Sequence, residues 1–325
     1  MFDVKINDFN QYEKEYEKFA IENKNLKYRS RADDKIYASQ IASLLLYKSD
    51  FKTENIFLIT PSIFNSPEIL FISKANNFID NLLKQGNVYL IDWQESEKQL
   101  LFNDLVHELE NIIEFLTEYA NKKINLIGHC IGGNICLGAG VTVVNSLTLL
   151  TTPWDFSHLQ KFTFMRNNID LKETIKDMDV IPKLYIQIMF FLMFPMQFNK
   201  KIEKYFTLPK NLREIFLCTE HWLQSGIDIP KSLFIDIIDK FCINNECHNQ
   251  KWIINDKVVH IKKLTMPVCI ISARSDQIAP YQSIVSLQKE LKNTTLIKVD
   301  GGHISYLINT KIDFLKKYNN WLVTI

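Results

Sequence analysis

Short apolar runs separated by longer amphipathic stretches set the rhythm of this chain. Ile56-Phe57-Leu58-Ile59 and Val88-Tyr89-Leu90-Ile91, the latter closed by Asp92-Trp93, are apolar without alternation, as is the end of 122–127. That is the pattern of strands buried on both faces of a parallel sheet. Between them, residues 68–84 and 98–121 carry apolar positions at three- and four-residue spacing and predict helices. Strand, helix, strand, helix, strand in this order predicts a parallel sheet with right-handed crossovers. A short helix beyond residue 130, a strand at 146–151 and the turn Thr152-Pro153-Trp154-Asp155-Phe156 complete this half. The sheet is expected to resume at Val268-Cys269-Ile270-Ile271-Ser272, followed by a helix at 281–292, a strand at 296–299 and a last helix at 310–322.

The two remaining regions read differently. Residues 3–24 predict a charged amphipathic helix laid on the body of the protein, with Phe9, Tyr12, Tyr16 and Phe19 at spacings of three or four. Residues 36–48 predict a strand or hairpin, and 48–55 a loop. Residues 157–262 carry helical patterns and no buried parallel strand. Their run from Leu184 to Phe194 is too short to span a bilayer and predicts a buried helix. The chain thus divides into an N-terminal helix with the first strands at 1–50, a core at 51–156 and 263–325, and an insertion at 157–262.

Composition narrows the function. With 325 residues, 46% of them hydrophobic, the chain can bury a large core. A net charge of +1 with interspersed signs gives no argument for nucleic acid. The six cysteines (130, 136, 218, 242, 247 and 269) lack paired-ligand spacing, and Cys242, Cys247 and His248 are not spaced as a zinc site. No metal is expected. Met1-Phe2-Asp3 leads into a polar segment, so a cytoplasmic location with reduced thiols is the expectation.

One stretch carries chemistry. Asn125-Leu126-Ile127-Gly128-His129-Cys130-Ile131-Gly132-Gly133 runs from an apolar strand into a turn with glycine two places either side of a cysteine. This is similar to the nucleophile elbow of the α/β-hydrolases, with Cys130 where serine is usual. Gly128 and Gly132 would let neighbouring backbone approach the strained turn. Asp276 follows the strand at 268–272 and His303 follows that at 296–299, so nucleophile, acid and histidine come in the α/β-hydrolase order at carboxyl ends of strands. Cys130, Asp276 and His303 are the expected catalytic triad. The N–H groups of Ile131 and Ile63 are the expected oxyanion donors. Asp300 is the lesser candidate acid. His129 is set aside, because its side chain should point away from that of Cys130. His107 and His260 sit without partners.

These residues resemble the polyhydroxyalkanoate synthase family. Pro61-Ser62-Ile63-Phe64-Asn65 is similar to its oxyanion loop, Val88 to Trp93 to its "VYLIDW" strand, and Gly128 to Gly133 to its cysteine box. Thr152 to Phe156, the segment Glu220-His221-Trp222-Leu223 with Asp228 and Pro230, and Gly301-Gly302-His303-Ile304 are similar to further family motifs. The likeness runs from about residue 56 to the C-terminus and is greatest to the short catalytic subunit of the two-subunit (class III-like) enzymes. Ser66 stands where the family has Arg, Phe71 where it tends to have Asp, and Ser305 where it has Gly. The stretch from Cys130 to Pro153 is also a few residues short.

The resemblance implies an α/β-hydrolase fold with a largely helical cap inserted between the nucleophile half and the Asp/His half. It implies an acyltransferase that polymerises 3-hydroxyacyl-CoA, typically 3-hydroxybutyryl-CoA, through an acyl-thioester on Cys130. Coenzyme A would enter as the substrate's carrier, with no other cofactor. The growing polyester, an accessory synthase subunit and a second copy of the chain are the partners it raises, and polymer granules the site it raises in the cell. A cysteine hydrolase, either an acyl-CoA thioesterase or an intracellular depolymerase, and a non-catalytic subunit are the rival readings.

Overall fold

The computed structural model describes residues 6–22, 32–73, 76–96, 98–140, 142–159, 170–193 and 195–325. Its centre is an eight-stranded sheet made of β1 (Asp34–Ala38), β2 (Ala42–Tyr47), β3 (Asn55–Thr60), β4 (Gly86–Trp93), β5 (Ile124–His129), β6 (Ser146–Leu150), β7 (Val268–Ala273) and β8 (Thr294–Val299). The spatial order is β1-β2-β4-β3-β5-β6-β7-β8. β2 runs antiparallel to both of its neighbours, and every other pairing is parallel. The hairpin expected at 36–48 is β1–β2. Asp92 and Trp93 extend β4 instead of closing it, because β2 pairs with them, Ala42 opposite Trp93.

The crossovers are helical. Helices α1 (Ile6–Glu22), α2 (Phe78–Leu83), α3 (Phe102–Ala120) and α4 (Ile131–Gly138) belong to the first half. Between β6 and β7 lie α5 (Lys183–Met193), α6 (Pro195–Thr207), α7 (Lys210–Leu223) and α8 (Lys231–Ile237), and α9 (Tyr281–Glu290) and α10 (Phe314–Leu322) complete the sheet's cover. Side chains alternate across the sheet as the pleat requires. Leu58, Leu126, Leu149 and Ile270 pack with α3, α4 and α9 on one face, and Phe57, Ile59, Ile127 and Ile271 pack with α2 and α10 on the other. The unbroken apolar runs are therefore strands filled on both faces.

Four expected elements differ. The last helix, expected at 310–322, begins at Phe314, because Asn309 accepts the N–H of Lys311 and turns the chain there. The single helix expected at 68–84 is a 3₁₀ turn, Pro67–Leu70, and a separate α2. Ser73 Oγ accepts the N–H of Asn76 and Asn77 caps α2 through the N–H of Asp80, so polar side chains claim the groups that a continuous helix would need. The helix expected from residue 98 begins at Phe102, because Asp104 accepts the N–H of Leu101 and Asp236 that of Phe102. The run from Leu184 forms α5 but is not a buried helix. Ile186, Met189 and Met193 are buried, while Leu184, Ile188, Phe191 and Leu192 are exposed, since the helix rests on its neighbours by one side only. Phe194 lies outside the described residues, as do positions 3–5 and 23–24 of the predicted N-terminal helix. That helix, α1, lies on α6 and α7, with Tyr12 packed edge-on against Tyr205 and hydrogen-bonded to Glu220. No helix among the described residues is long and apolar enough to cross a membrane.

Candidate active site

β5 ends at the centre of the sheet and the chain turns at once into α4. Cys130 occupies the turn with φ 54° and ψ −126°. A side chain rarely adopts that conformation, which costs of the order of 1–3 kcal/mol. The surroundings hold it in place. The N–H of Cys130 bonds to Leu150 of β6, and its carbonyl accepts the N–H of Gly133. The glycines make the packing possible. A Cβ on Gly132 would lie 2.2 Å from the carbonyl oxygen of Thr60, and one on Gly128 2.4 Å from the Cα of Gly133. The elbow thus sits directly beneath the loop that follows β3.

Asp276 and His303 come from loops after β7 and β8, and backbone bonds tie these loops together. The N–H of Arg274 meets the carbonyl of Val299, and that of Ser275 meets Gly301. Asp276 Oδ1 accepts the N–H groups of Ile278 and Ala279 at 2.8 Å each, which leaves Oδ2 to accept from His303 Nδ1 at 2.8 Å. The Asp276 side chain is fully buried and that of His303 is 12% exposed. The ring's other nitrogen is left for Cys130, with which His303 is hydrogen-bonded. Burial pulls the imidazole down. The charges of Asp276 and Cys130 and the hydrogen bonds to both outweigh it, and His303 titrates well above its ordinary value. The imidazole is thereby suited to take up a proton beside Cys130 and hold it. Asp300 is elsewhere: it is 82% exposed on its side chain and paired with Arg274 at 3.0 Å.

Four of the other five cysteines differ from Cys130 in access, and Cys242, as half-buried as Cys130, lies away from the turn after β5. Cys136, Cys218, Cys247 and Cys269 are buried and Cys242 is half-buried. Burial pushes the Cys136 thiol up to about 12 and raises those of Cys247 and Cys269, so these thiols are inert.

The loop after β3 is fixed from two sides. Trp93 Nε1 donates to the carbonyl of Pro61 at 3.1 Å, and Ser62 Oγ takes the N–H of Phe64, one residue beyond Ile63. From the insertion, Trp222 Nε1 donates to Ser66 O at 2.7 Å, and Asn65 Nδ2 donates to Ser225 O at 3.2 Å. Ile131 is the first residue of α4, where a helix leaves its N–H groups without carbonyl partners of their own.

Three residues at this site carry no sequence signal that the motif reading uses. His129 packs its ring against that of His303, with centroids 5.9 Å apart. Burial, reinforced by the neighbouring imidazolium, pushes His129 down to about 3, so it is neutral. Thr151, at φ 45°, donates from Oγ1 to the His303 carbonyl at 3.4 Å and bonds Tyr306 OH at 3.2 Å. Asn76 Nδ2 holds the Tyr306 carbonyl at 2.8 Å. His129 ends β5, Thr151 follows β6, Asn76 precedes α2, and the His303 and Tyr306 they meet follow β8, so the topology, not the local sequence, would have found them.

The sheet order, the strained turn and the loops at the carboxyl ends of the strands define a protein of the α/β-hydrolase fold. A family model described as alpha/beta hydrolase fold matches residues 223–310. The structure of MenH from S. aureus aligns with a TM-score of 0.57 at 14% identity, covering 86% of this chain and 98% of that one. An alpha/beta hydrolase fold protein from Chitinophaga pinensis gives 0.56 at 12%, covering 91% and 98%. These likenesses speak for the fold alone.

Sequence similarity goes further, and along most of its length the chain resembles the polyhydroxyalkanoate synthase family. The poly(3-hydroxyalkanoate) polymerase subunit PhaC of Synechocystis is 25% identical over 309 residues, which cover 86% of this chain and 81% of that one. PhaC of Allochromatium vinosum is 26% identical over 272 residues, covering 78% and 76%. PhaC of Haloarcula marismortui is 23% identical over 286 residues, covering 81% of this chain and 60% of the relative.

Proposed function

We propose that the protein is an acyltransferase that polymerises 3-hydroxyacyl-CoA, with 3-hydroxybutyryl-CoA the substrate to test first. The observation that carries this reading is the continuous series from Asp276 through His303 to a strained, reachable Cys130 in a chain similar to PhaC subunits. His303 takes the Cys130 proton. The thiolate attacks the thioester carbonyl carbon, the carbon–sulfur bond to coenzyme A breaks, and the leaving thiolate takes the proton back from His303. The acyl group then rests on Cys130 as a second thioester, close in free energy to the first. A hydroxyl of another hydroxyacyl unit gives its proton to His303 and attacks this thioester, forming the ester and freeing Cys130.

Two backbone donors support the tetrahedral oxyanion in this scheme, the N–H of Ile131 and that of Ile63. Asp276 fixes the tautomer of His303 and balances the imidazolium. Segment 157–262 serves as the lid that keeps water from the acyl-enzyme. A small pocket beside Ile63, lined mostly by apolar residues such as Trp93, Leu105, Ile227 and Leu233, has a volume of about 20 Å³. An acyl chain enters it only after the lid shifts.

The test is incubation of the purified protein with 3-hydroxybutyryl-CoA. Coenzyme A release with insoluble polyester is the expected result, lost in Cys130→Ala. Coenzyme A release with free 3-hydroxybutyrate would sink polymerisation and leave the cysteine hydrolase. No release by the wild type, with or without an accessory subunit, would sink both.

A further inference from the structure

On the α9 side of the sheet, the side chains of β7 change character along the strand. Val268 and Ile270 are apolar where Ile284 and Leu287 of α9 cover them, but Ser272 and Arg274 follow on the same face. On β8 the partner row runs from Leu296 to Lys298, and Lys298 stands directly opposite Ser272. The row turns polar and cationic where α9 begins. A cavity of about 290 Å³ opens there, lined by Ser272, Arg274, Asp276, Tyr281, Gln282 and Lys298. One water needs only ~10–15 Å³ on this measure, so the space takes a larger polar ligand.

Each wall fits an anion. Lys298 Nζ sits 4.5 Å from the centre of the Tyr281 ring, which holds the ammonium over the opening. Arg274 pairs with the exposed Asp300 through Nε alone, leaving the two terminal nitrogens of its fork. α9 points its N-terminus into the cavity, and no side chain caps it. The sharpest sign is Ser272. It is 1% exposed, and its hydroxyl has no hydrogen-bond partner among the described residues, a costly state for a buried polar group. Asp276 is the one carboxylate in the wall, and both of its oxygens are already engaged by Ile278, Ala279 and His303.

We propose that this cavity is a binding site for a phosphate group, held by Lys298, Arg274, the Ser272 hydroxyl and the first N–H groups of α9. The assignment does not depend on acyl transfer at Cys130. The phosphate has two possible carriers, free phosphate or diphosphate, and the phosphorylated end of coenzyme A.

Equilibrium dialysis of the full chain against radiolabelled pyrophosphate tests it. Wild type is expected to bind at millimolar concentrations or below. Lys298→Gln and Arg274→Gln are each expected to bind about tenfold more weakly, the loss of one charged contact, and Lys298→Arg to restore binding. Ser272→Ala is expected to weaken binding severalfold while leaving the thermal midpoint unchanged or raised. Competition by coenzyme A but not by dephospho-coenzyme A supports the site with the 3′-phosphate as its occupant. Competition by inorganic phosphate alone supports it with the free ion. No pyrophosphate binding by the wild type, or equal binding by the folded Lys298→Gln and Arg274→Gln proteins, overturns the proposal.

Discussion

Asp276→Asn probes the proposed chemistry most directly, because both oxygens of the carboxylate are in use. Oδ1 accepts two backbone N–H groups and Oδ2 accepts His303 Nδ1. An asparagine that keeps its oxygen on Ile278 and Ala279 turns an NH₂ toward Nδ1. His303 must then carry its proton on the other nitrogen and no longer accepts one from Cys130. The flipped amide restores the contact to His303 but faces the two N–H groups with a donor. Either choice removes a charged hydrogen bond from a fully buried side chain, about 1.5–3 kcal/mol of stability. The wrong tautomer reduces acyl transfer far more, by about 10⁴-fold on the precedent of acid-to-amide changes in such triads. The charge of Asp276 also raises His303, so its loss lets the imidazolium discharge at lower pH. An NMR titration of the His303 ring reads this directly, and the variant's midpoint is expected to fall below that of wild type. An unmoved His303 titration together with turnover within threefold of wild type would refute the reasoning.

The remaining predictions use the same geometry. Gly132→Ala drives a Cβ into the Thr60 and Pro61 carbonyls, backbone that cannot swing aside, and is expected to destabilise by a few kcal/mol and abolish acyl-enzyme formation, read by denaturant melts and mass spectrometry. His129 is neutral when folded, with a value pushed down to about 3, so its share of stability is present above the ordinary imidazole range and lost as pH falls from about 6.5. His129→Phe is expected to flatten the acid side of a stability-against-pH curve, by up to about 1.4 kcal/mol per pH unit in that window. His303 has the opposite sign: its folded value is raised, so its share is full below about 6.5 and fades as pH rises through the folded value. The stability gap between wild type and Asp276→Asn should therefore narrow in alkaline buffer. Thr151→Val removes the hydroxyl that bridges the His303 carbonyl and Tyr306, and is expected to lower kcat about tenfold with little change in KM.

How much was legible in the sequence follows the range of each signal. The doubly buried strands read as unbroken apolar runs, and the elbow and the order Cys130, Asp276, His303 read as a motif because each is local or needs only chain order. The break inside 68–84 was equally local, and Ser73 and Asn77 mark it, but helical spacing of the apolar residues masked those caps. In α5 nearly every residue is apolar, so periodicity had no polar face to exclude, and only packing shows that Leu184, Ile188, Phe191 and Leu192 are exposed. His129 meets His303, and Thr151 meets Tyr306, because strands from both halves of the chain lie side by side, which no single-segment pattern encodes.

The least legible relation joins two motifs whose contacts span 156 to 160 residues of sequence. Asn65 and Ser66 follow the loop after β3, and Trp222 to Gly226 end α7 in the insertion. Trp222 donates to Ser66 O, Asn65 to Ser225 O, and the Ser66 N–H to Ser225 Oγ. Gly226, at φ 126°, is so close that a Cβ would lie 2.5 Å from the carbonyl of Phe64. Separating the two segments would cost these hydrogen bonds, about 1 kcal/mol each, together with the burial of Trp222. The ordinary motion is therefore one that moves α7 and the loop together or leaves both in place. On its other side the pocket beside Ile63 is walled by Ile227, Ile229 and Leu233, and Ser232 ties this wall to Leu100 through two hydrogen bonds. The side chain that replaces the family's arginine, Ser66, sits at the centre of this latch, bonded to Glu68 and Ser225. A long cation there would have to displace the short hydroxyl bridge, so Ser66→Arg is expected to loosen the insertion and speed proteolysis within it, while its thermal midpoint falls. Unchanged proteolysis would mean that the latch does not hold the insertion down.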